Sequence, residues 1–216
     1  MYIIQPGMVN YMSTIIGLCG TNYCLLASDS RMVTPDEEGN WTVKNDSTNK
    51  IIKVNDNVIY GATGQFWSSE RIDEPIRHRE YTNEASLLET VAITEKYMAD
   101  NLVKVMSFRR QYIIAGREYD GSFCIVTIRL NDEKKGIERT VYRSDDPRHH
   151  ASVIALPASL SDKENAERYS AILYGEVIKC KSLNELIASV NNVIHQIADA
   201  DVQHTVGGDT KYIVLT

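Results

Sequence analysis

A chain of 216 residues, 43% hydrophobic and 24% charged, has ordinary soluble-protein composition and enough length to bury a sizeable core in one domain. Its formal net charge of −6, with no run of Lys or Arg, excludes a role resting on non-specific nucleic-acid binding. No apolar run is long enough to span a membrane.

In chain order, residues 1–12 lack a basic n-region and a clear apolar h-region, so they do not read as a signal peptide. Three readings stay open: a propeptide, a segment ahead of a true start at Met12, or a permanent extension of a single domain covering residues 13–216. Ile15–Cys19 and Tyr23–Ala27 are short apolar runs around Gly20-Thr21-Asn22, a hairpin signal. Ile51–Val54 and Val58–Gly61 repeat the form around Asn55-Asp56-Asn57, and the four are expected to share a sheet. After Gly64 the pattern turns helical. One helix is expected over Phe66–His78, interrupted near Pro75. A second, capped by Asn83, would carry Leu87, Leu88, Val91, Tyr97, Met98, Leu102 and Val105, with Arg109-Arg110 as a solvated end.

Tyr112–Ala115, Ser122–Arg129, Ile137–Tyr142 and Ser152–Leu156 then read as a second sheet. His149 and His150 would point to opposite sides of an extended chain and read as a surface turn, not a chelating pair. Ser161-Asp162-Lys163-Glu164 and Ser182-Leu183-Asn184-Glu185 are capping-box patterns that open two more helices. The second of these carries an apolar stripe of Leu183, Leu186, Ile187, Val190, Ile194 and Ile197, with His195 on its flank. Lys211–Leu215 closes the chain as a strand. Strands, two helices, strands, two helices and a final strand suit an α+β fold with two sheets between helix layers. Cys19, Cys24, Cys124 and Cys180 have no C-x-x-C spacing and read as free thiols in a reducing, cytoplasmic compartment.

The stretch from Ser13 to Gly64 carries the chemistry. Ser13-Thr14-Ile15-Ile16-Gly17, followed by Ala27-Ser28-Asp29-Ser30-Arg31, resembles the start of a proteasome β-type subunit. Asn49-Lys50-Ile51-Ile52-Lys53-Val54 and Gly61-Ala62-Thr63-Gly64 are similar to later motifs of the same family. Its members are N-terminal-nucleophile hydrolases with a four-layer αββα sandwich, whose nucleophile becomes the first residue after processing. The resemblance implies Ser13 as nucleophile, Asp29 as carboxylate, Lys50 as lysine and Gly64 as oxyanion-hole glycine. Asp29 lies sixteen residues after Ser13 and Gly64 fourteen after Lys50, as in the family. The Asp29-to-Lys50 segment is about five residues longer than in the family, which fits the polar tip Thr34–Gly39.

Near the C-terminus, Thr205-Val206-Gly207-Gly208-Asp209 resembles the family's glycine pair. That implies a supporting carboxylate at Asp201 or Asp199, with Val206 where the family keeps a serine. Ser159 faces a second family serine, and Arg31 is a further supporting residue. The resemblance lines the specificity pocket with Met32, Ile52 and Ala62, and their lack of charge predicts apolar side chains at P1. It implies a peptide or unfolded-protein substrate, a closed homo-oligomeric ring and an ATPase unfoldase as partner. Neither cofactor nor metal is expected, and neither a nucleic acid nor a membrane partner. A non-catalytic ring subunit and a small-molecule amidase of the same superfamily are the alternatives.

The chemistry has its own logic. A serine hydroxyl needs a base, and no G-x-S-x-G elbow supplies a triad. A free α-amine, with a pKa of roughly 7.7–8, can serve as that base on the same residue. Lys50 would lower both pKa values, Asp29 would hold the ammonium, and the Gly64 N–H would stabilise the oxyanion. Within an internal peptide bond the Ser13 nitrogen is an amide and cannot be the base.

Overall fold

The computed structural model describes residues 8–11, 13–36, 38, 40–67, 71, 73–77, 85–103, 105, 110–131, 136–146 and 149–216, with backbone only at 8–11, 65–67, 77 and 131. Strands β1 to β7 are Met8–Tyr11, Ile15–Cys19, Cys24–Ser28, Met32–Pro35, Trp41–Asn45, Ile51–Lys53 and Val58–Trp67. Helices α1 (Glu74–Arg77) and α2 (Leu87–Asp100) follow. Strands β8 to β11 are Gln111–Arg117, Phe123–Asn131, Gly136–Arg143 and Ala151–Ala155. A 3-10 turn at Ala158–Leu160, helices α3 (Lys163–Val177) and α4 (Leu183–Ala200), and β12 (Lys211–Leu215) complete the chain.

The described strands form two sheets. The smaller is ordered β11-β2-β3-β12, and the larger runs β10-β9-β8-β7-β1-β4-β5 with β6 also on β7. Their pairings are antiparallel throughout. The expected partition of strands is therefore corrected. β6 and β7 join β8–β10, while β11 leaves that group to pair β2. Local pattern finds a strand but does not choose its neighbour, because every apolar strand offers the same backbone ladder.

Side-chain alternation explains why β2 reads as one unbroken apolar run. Ile15 and Cys19 point into a cluster with Ile51, Ile59, Ile113 and Ile125, between the two sheets. Ile16 and Leu18 point the other way, against Leu173 of α3 and Val190, Val193 and Ile197 of α4. A strand buried on both faces has no polar side to show. A third cluster places Val58, Tyr60, Ala62, Tyr112 and Ile114 against Leu87, Val91 and Met98 of α2. The α2 residues Leu87, Thr90, Val91, Thr94 and Met98 form its buried stripe.

Several local expectations change. Phe66 and Trp67 lie in β7 rather than in a helix, and the described helix near Pro75 is only the single turn α1. Asn83 lies outside the described residues. The cap of α2 is Ser86, whose hydroxyl accepts from the Glu89 N–H at 3.2 Å while Glu89 accepts from the Ser86 N–H at 2.7 Å. Asp162, not Ser161, caps α3 by accepting from the Asn165 N–H. Arg110 is 1% exposed instead of solvated, and its Nη1 donates to the Tyr97 hydroxyl at 3.4 Å. His150 is half-buried with Nδ1 2.7 Å from the Tyr23 hydroxyl, while His149 is exposed beside Asp146.

Candidate active site

Asp29 follows the end of β3 and is 1% exposed. Its Oδ1 accepts from the Thr14 N–H at 3.0 Å. Its Oδ2 accepts from Lys50 Nζ at 2.8 Å, the Gly207 N–H at 3.1 Å and the Arg31 N–H at 3.2 Å. One carboxylate thus ties together the segment starting at Ser13, the residue entering β6 and the turn before β12. Lys50 is fully buried, and its own carbonyl accepts from the Ala62 N–H of β7 at 3.3 Å. Burial depresses the Lys50 ammonium, and the Asp29 carboxylate restores it only in part. Burial likewise pushes the Asp29 carboxyl up, opposed by Lys50 and by the Gly207 and Thr14 N–H groups. Each charge is tolerated in this interior because the other is there.

Ser13 is fully buried and its hydroxyl has no hydrogen-bond partner among the described residues; the same is true of the Thr14 and Ser28 hydroxyls. Three unpaired hydroxyls at the ends of β2 and β3 are costly unless a water or ligand completes them. Ser13 joins this group through the chain, since the Asp29 carboxylate holds the very next peptide N–H.

Gly64 sits inside the ten-residue β7, whereas the expected strand ended at Gly61. Its φ of +112° is one that L side chains rarely adopt. Across from it in the ladder stands Tyr11, two residues before Ser13. β1 itself lies between β7 and β4, with Asn10 opposite Val33. The chain ahead of Ser13 therefore runs as a strand alongside Gly64. Met32, Ile52 and Ala62 all belong to the cluster under α2, Ala62 completely buried and the other two partly so.

Asp201 caps α4 and is buried, whereas Asp199 is exposed, so geometry selects the former as the carboxylate of this region. Asp201 Oδ1 accepts from the Ser159 hydroxyl at 2.5 Å. Its Oδ2 accepts from the Thr205 N–H at 2.6 Å, the Thr205 hydroxyl at 2.7 Å and the Val206 N–H at 3.0 Å. Three consecutive N–H groups, at Thr205, Val206 and Gly207, are thereby strung between two buried carboxylates. Arg31 seals the outer side. Its Nε and Nη2 reach the two oxygens of Asp46 at 2.8 and 3.1 Å, and its Nη1 donates to the His204 carbonyl at 3.3 Å. Gly207 and Gly208 are therefore part of the site rather than a plain turn before β12. At Gly208, with φ of +72°, a Cβ would stand 2.6 Å from the Ser30 hydroxyl and 2.8 Å from the Asp46 carbonyl. Gly208→Ala is expected to destabilise the protein by about 1–3 kcal/mol, read as a lower urea midpoint at unchanged slope.

No sequence signal singles out Thr205 or Asp46. The Thr205 hydroxyl occupies the carboxylate where Val206 offers only its backbone. Asp46 lies in the lengthened Asp29-to-Lys50 segment, where no motif marks it. Burial pushes the Asp201 carboxyl up, but the bonds from Ser159, Thr205 and Val206 outweigh that and hold it below the usual carboxylate range. Its contribution to stability is thus fully present above about pH 3.9, the ordinary value, and is lost as pH falls through the lower folded value. Thermal melts between pH 7 and 2.5 are expected to show this loss, and Asp201→Asn is expected to flatten it.

The scan against protein-family models and the search of curated proteins both return no match for this sequence. Among the described residues, no three His, Cys, Asp or Glu side chains converge so as to hold a metal ion, and no helix is long and apolar enough to cross a membrane.

Proposed function

We propose that the protein is a proteasome-like N-terminal-nucleophile hydrolase that cleaves peptide bonds with Ser13 once residues 1–12 are released. The observation that carries this reading is the buried Asp29 carboxylate, which holds Lys50 Nζ and the Thr14 N–H beside an unpaired Ser13 hydroxyl. Release of residues 1–12 would turn the Ser13 amide nitrogen into an amine close to that carboxylate and lysine. The amine would take the hydroxyl proton, Ser13 Oγ would attack the carbonyl, and the Gly64 N–H would receive the oxyanion; collapse of that intermediate would break the peptide C–N bond, the Ser13 ammonium returning its proton to the leaving amine. Water would then free the acyl group from Ser13.

The three apolar clusters, one between the sheets and one under each helix layer, support the four-layer αββα reading. The position of β1 supports a peptide substrate. A segment added as a strand between β7 and β4 brings its backbone past Gly64, and a peptide could enter the same groove by strand addition. A homo-oligomeric ring and an ATPase unfoldase follow from the resemblance, as does work in the cytoplasm on unfolded protein. The free thiols of Cys19, Cys24, Cys124 and Cys180 are compatible with a reducing compartment.

A second reading has its own support. β1 bridges β7 and β4 within the larger sheet, as a permanent structural strand of a non-catalytic ring subunit would. Intact mass of protein from its native host separates the two. A chain starting at Ser13 is expected; a functional assembly that retains residues 1–12 would establish the scaffold instead. Loss of residues 1–12 with turnover of a small amide but of no peptide would point to the amidase alternative.

A further inference from the structure

All four cysteines are free thiols, and the fold sorts them by face. Cys124 lies in the cluster under α2, and Cys180 packs at the edge of the cluster under α3 and α4. Cys19 and Cys24 share the cluster between the two sheets, and no other two of the four share one. They are also direct ladder partners at the closed end of the β2–β3 hairpin. Both are completely buried.

The backbone fixes what kind of pair this is. One step nearer the turn, the Gly20 N–H donates to the Tyr23 carbonyl at 3.0 Å. Hydrogen-bonded and non-hydrogen-bonded pairs alternate along an antiparallel ladder, so Cys19 and Cys24 are a non-hydrogen-bonded pair. The same alternation makes Ile15–Ser28 another such pair, and the bond from the Asp29 N–H to the Thr14 carbonyl at 3.3 Å agrees. In pairs of this kind the side chains approach most closely, with Cα atoms about 4.5 Å apart. A disulfide spans about 4.4–6.8 Å between Cα atoms, so the hairpin already holds these two at bonding range. Cys124 is not so placed. Its ladder partners are Gly116 and Arg143, and it points away from the face of Phe123, whose carbonyl accepts from the Cys19 thiol at 3.0 Å.

Burial pushes the Cys19 thiol up to about 11 and the Cys24 thiol further still. Both therefore rest as neutral thiols inside the fold. What separates them from solvent is the short turn, in which Thr21 and Asn22 are exposed. The end of a hairpin opens at lower cost than its centre, and a small oxidant can enter there.

We propose that Cys19 and Cys24 form a site of reversible thiol oxidation, closing to a cross-strand disulfide with hydrogen peroxide as the oxidant. The sulfur of Cys19 attacks one peroxide oxygen, the O–O bond breaks, and a sulfenic acid and one water result. The sulfur of Cys24 then attacks the sulfenic sulfur, the S–O bond breaks, the S–S bond forms and a second water leaves. Two thiols lose two electrons and two protons, and one peroxide becomes two waters. The hairpin carries Thr14 and Asp29 at its open end, so the bond clasps the closed end of the element on which the candidate site is built. The proposal does not depend on the hydrolase reading of Ser13.

The test uses the folded, full-length chain. It is exposed to hydrogen peroxide, its remaining thiols are alkylated in denaturant, and tryptic peptides are weighed before and after dithiothreitol. No Lys or Arg precedes Arg31, so both cysteines fall in one peptide. That peptide is expected to lose two hydrogens and to carry neither alkyl label, and dithiothreitol is expected to restore both. Cys124, which is 1% exposed, is expected to keep its label and so reports that the chain stayed folded. Cys24→Ser is expected to lose the link and to leave Cys19 as a sulfenic acid that dimedone captures. Full alkylation of Cys19 and Cys24 after peroxide overturns the proposal. So does a link from either to Cys124 or Cys180, oxidation to sulfinic acid without a link, or a link that forms only as Cys124 is oxidised too. If Cys24→Ser does not fold, the peptide map of the unaltered chain decides alone.

Discussion

Ser13→Ala is expected to keep residues 1–12 and to lose peptide hydrolysis by a factor of at least about 10⁴, the scale seen when a covalent nucleophile is removed. The same substitution is expected to cost no stability. The Ser13 hydroxyl is buried without a partner among the described residues, so its removal deletes a desolvated polar group and breaks no bond. Urea denaturation is expected to place the variant level with the parent chain or up to about 1 kcal/mol above it. Activity lost at undiminished stability is the signature of a residue kept for chemistry. A clear destabilisation would mean that the hydroxyl supports the fold instead, and self-release of residues 1–12 by the alanine variant would exclude Ser13 as the nucleophile.

Lys50→Met is expected to be the most destabilising single change, at about 3–5 kcal/mol, because it leaves the Asp29 carboxylate buried without its cation. Asp29→Asn is expected to do similar harm from the other side, and it also replaces one of the two oxygens that serve Thr14, Arg31 and Gly207. The double variant is expected to recover part of the loss, since no isolated charge remains. Both single variants and the double are expected to be inactive. Additive losses in a double-mutant cycle would show that the two side chains do not act as a pair.

Much of the site is legible in the sequence. Asp29 and Lys50 lie 21 positions apart in the chain, yet the motifs around them predict a buried or half-buried ion pair, and their charged atoms meet at 2.8 Å, both side chains buried. Such a prediction succeeds because each motif sits at the end of a short apolar run. The run fixes a strand, and the strand end fixes where a polar side chain can go. The same logic fails at Gly64, because nothing local stops β7 there; pairing with β1 carries the strand on to Trp67. It fails again at Arg110, where a charged pair at a helix end normally reads as solvated, and only the stacking of α2 on the sheet buries it.

What the sequence by itself determined is local. The β2–β3 hairpin, the apolar stripe of α4, the order of strands and helices, and the identity of the groups around Ser13 all follow from patterns a few residues long. Each needs only the alternation of a strand or the turn of a helix. What the tertiary structure alone decided is which of those elements meet. It moved β6 and β7 into the sheet of β8–β10 and gave β11 to β2. It chose Asp201 over Asp199 and recruited Thr205 to that carboxylate. It bound Arg31 to Asp46, and it packed Tyr60, Ala62 and Tyr112 into one cluster with α2. The physical reason is that side-chain direction is set by the backbone of one element, whereas partnership is set by which apolar faces cover one another. That choice belongs to the whole chain at once, since every strand presents the same donors and acceptors at its edge and only mutual burial distinguishes them.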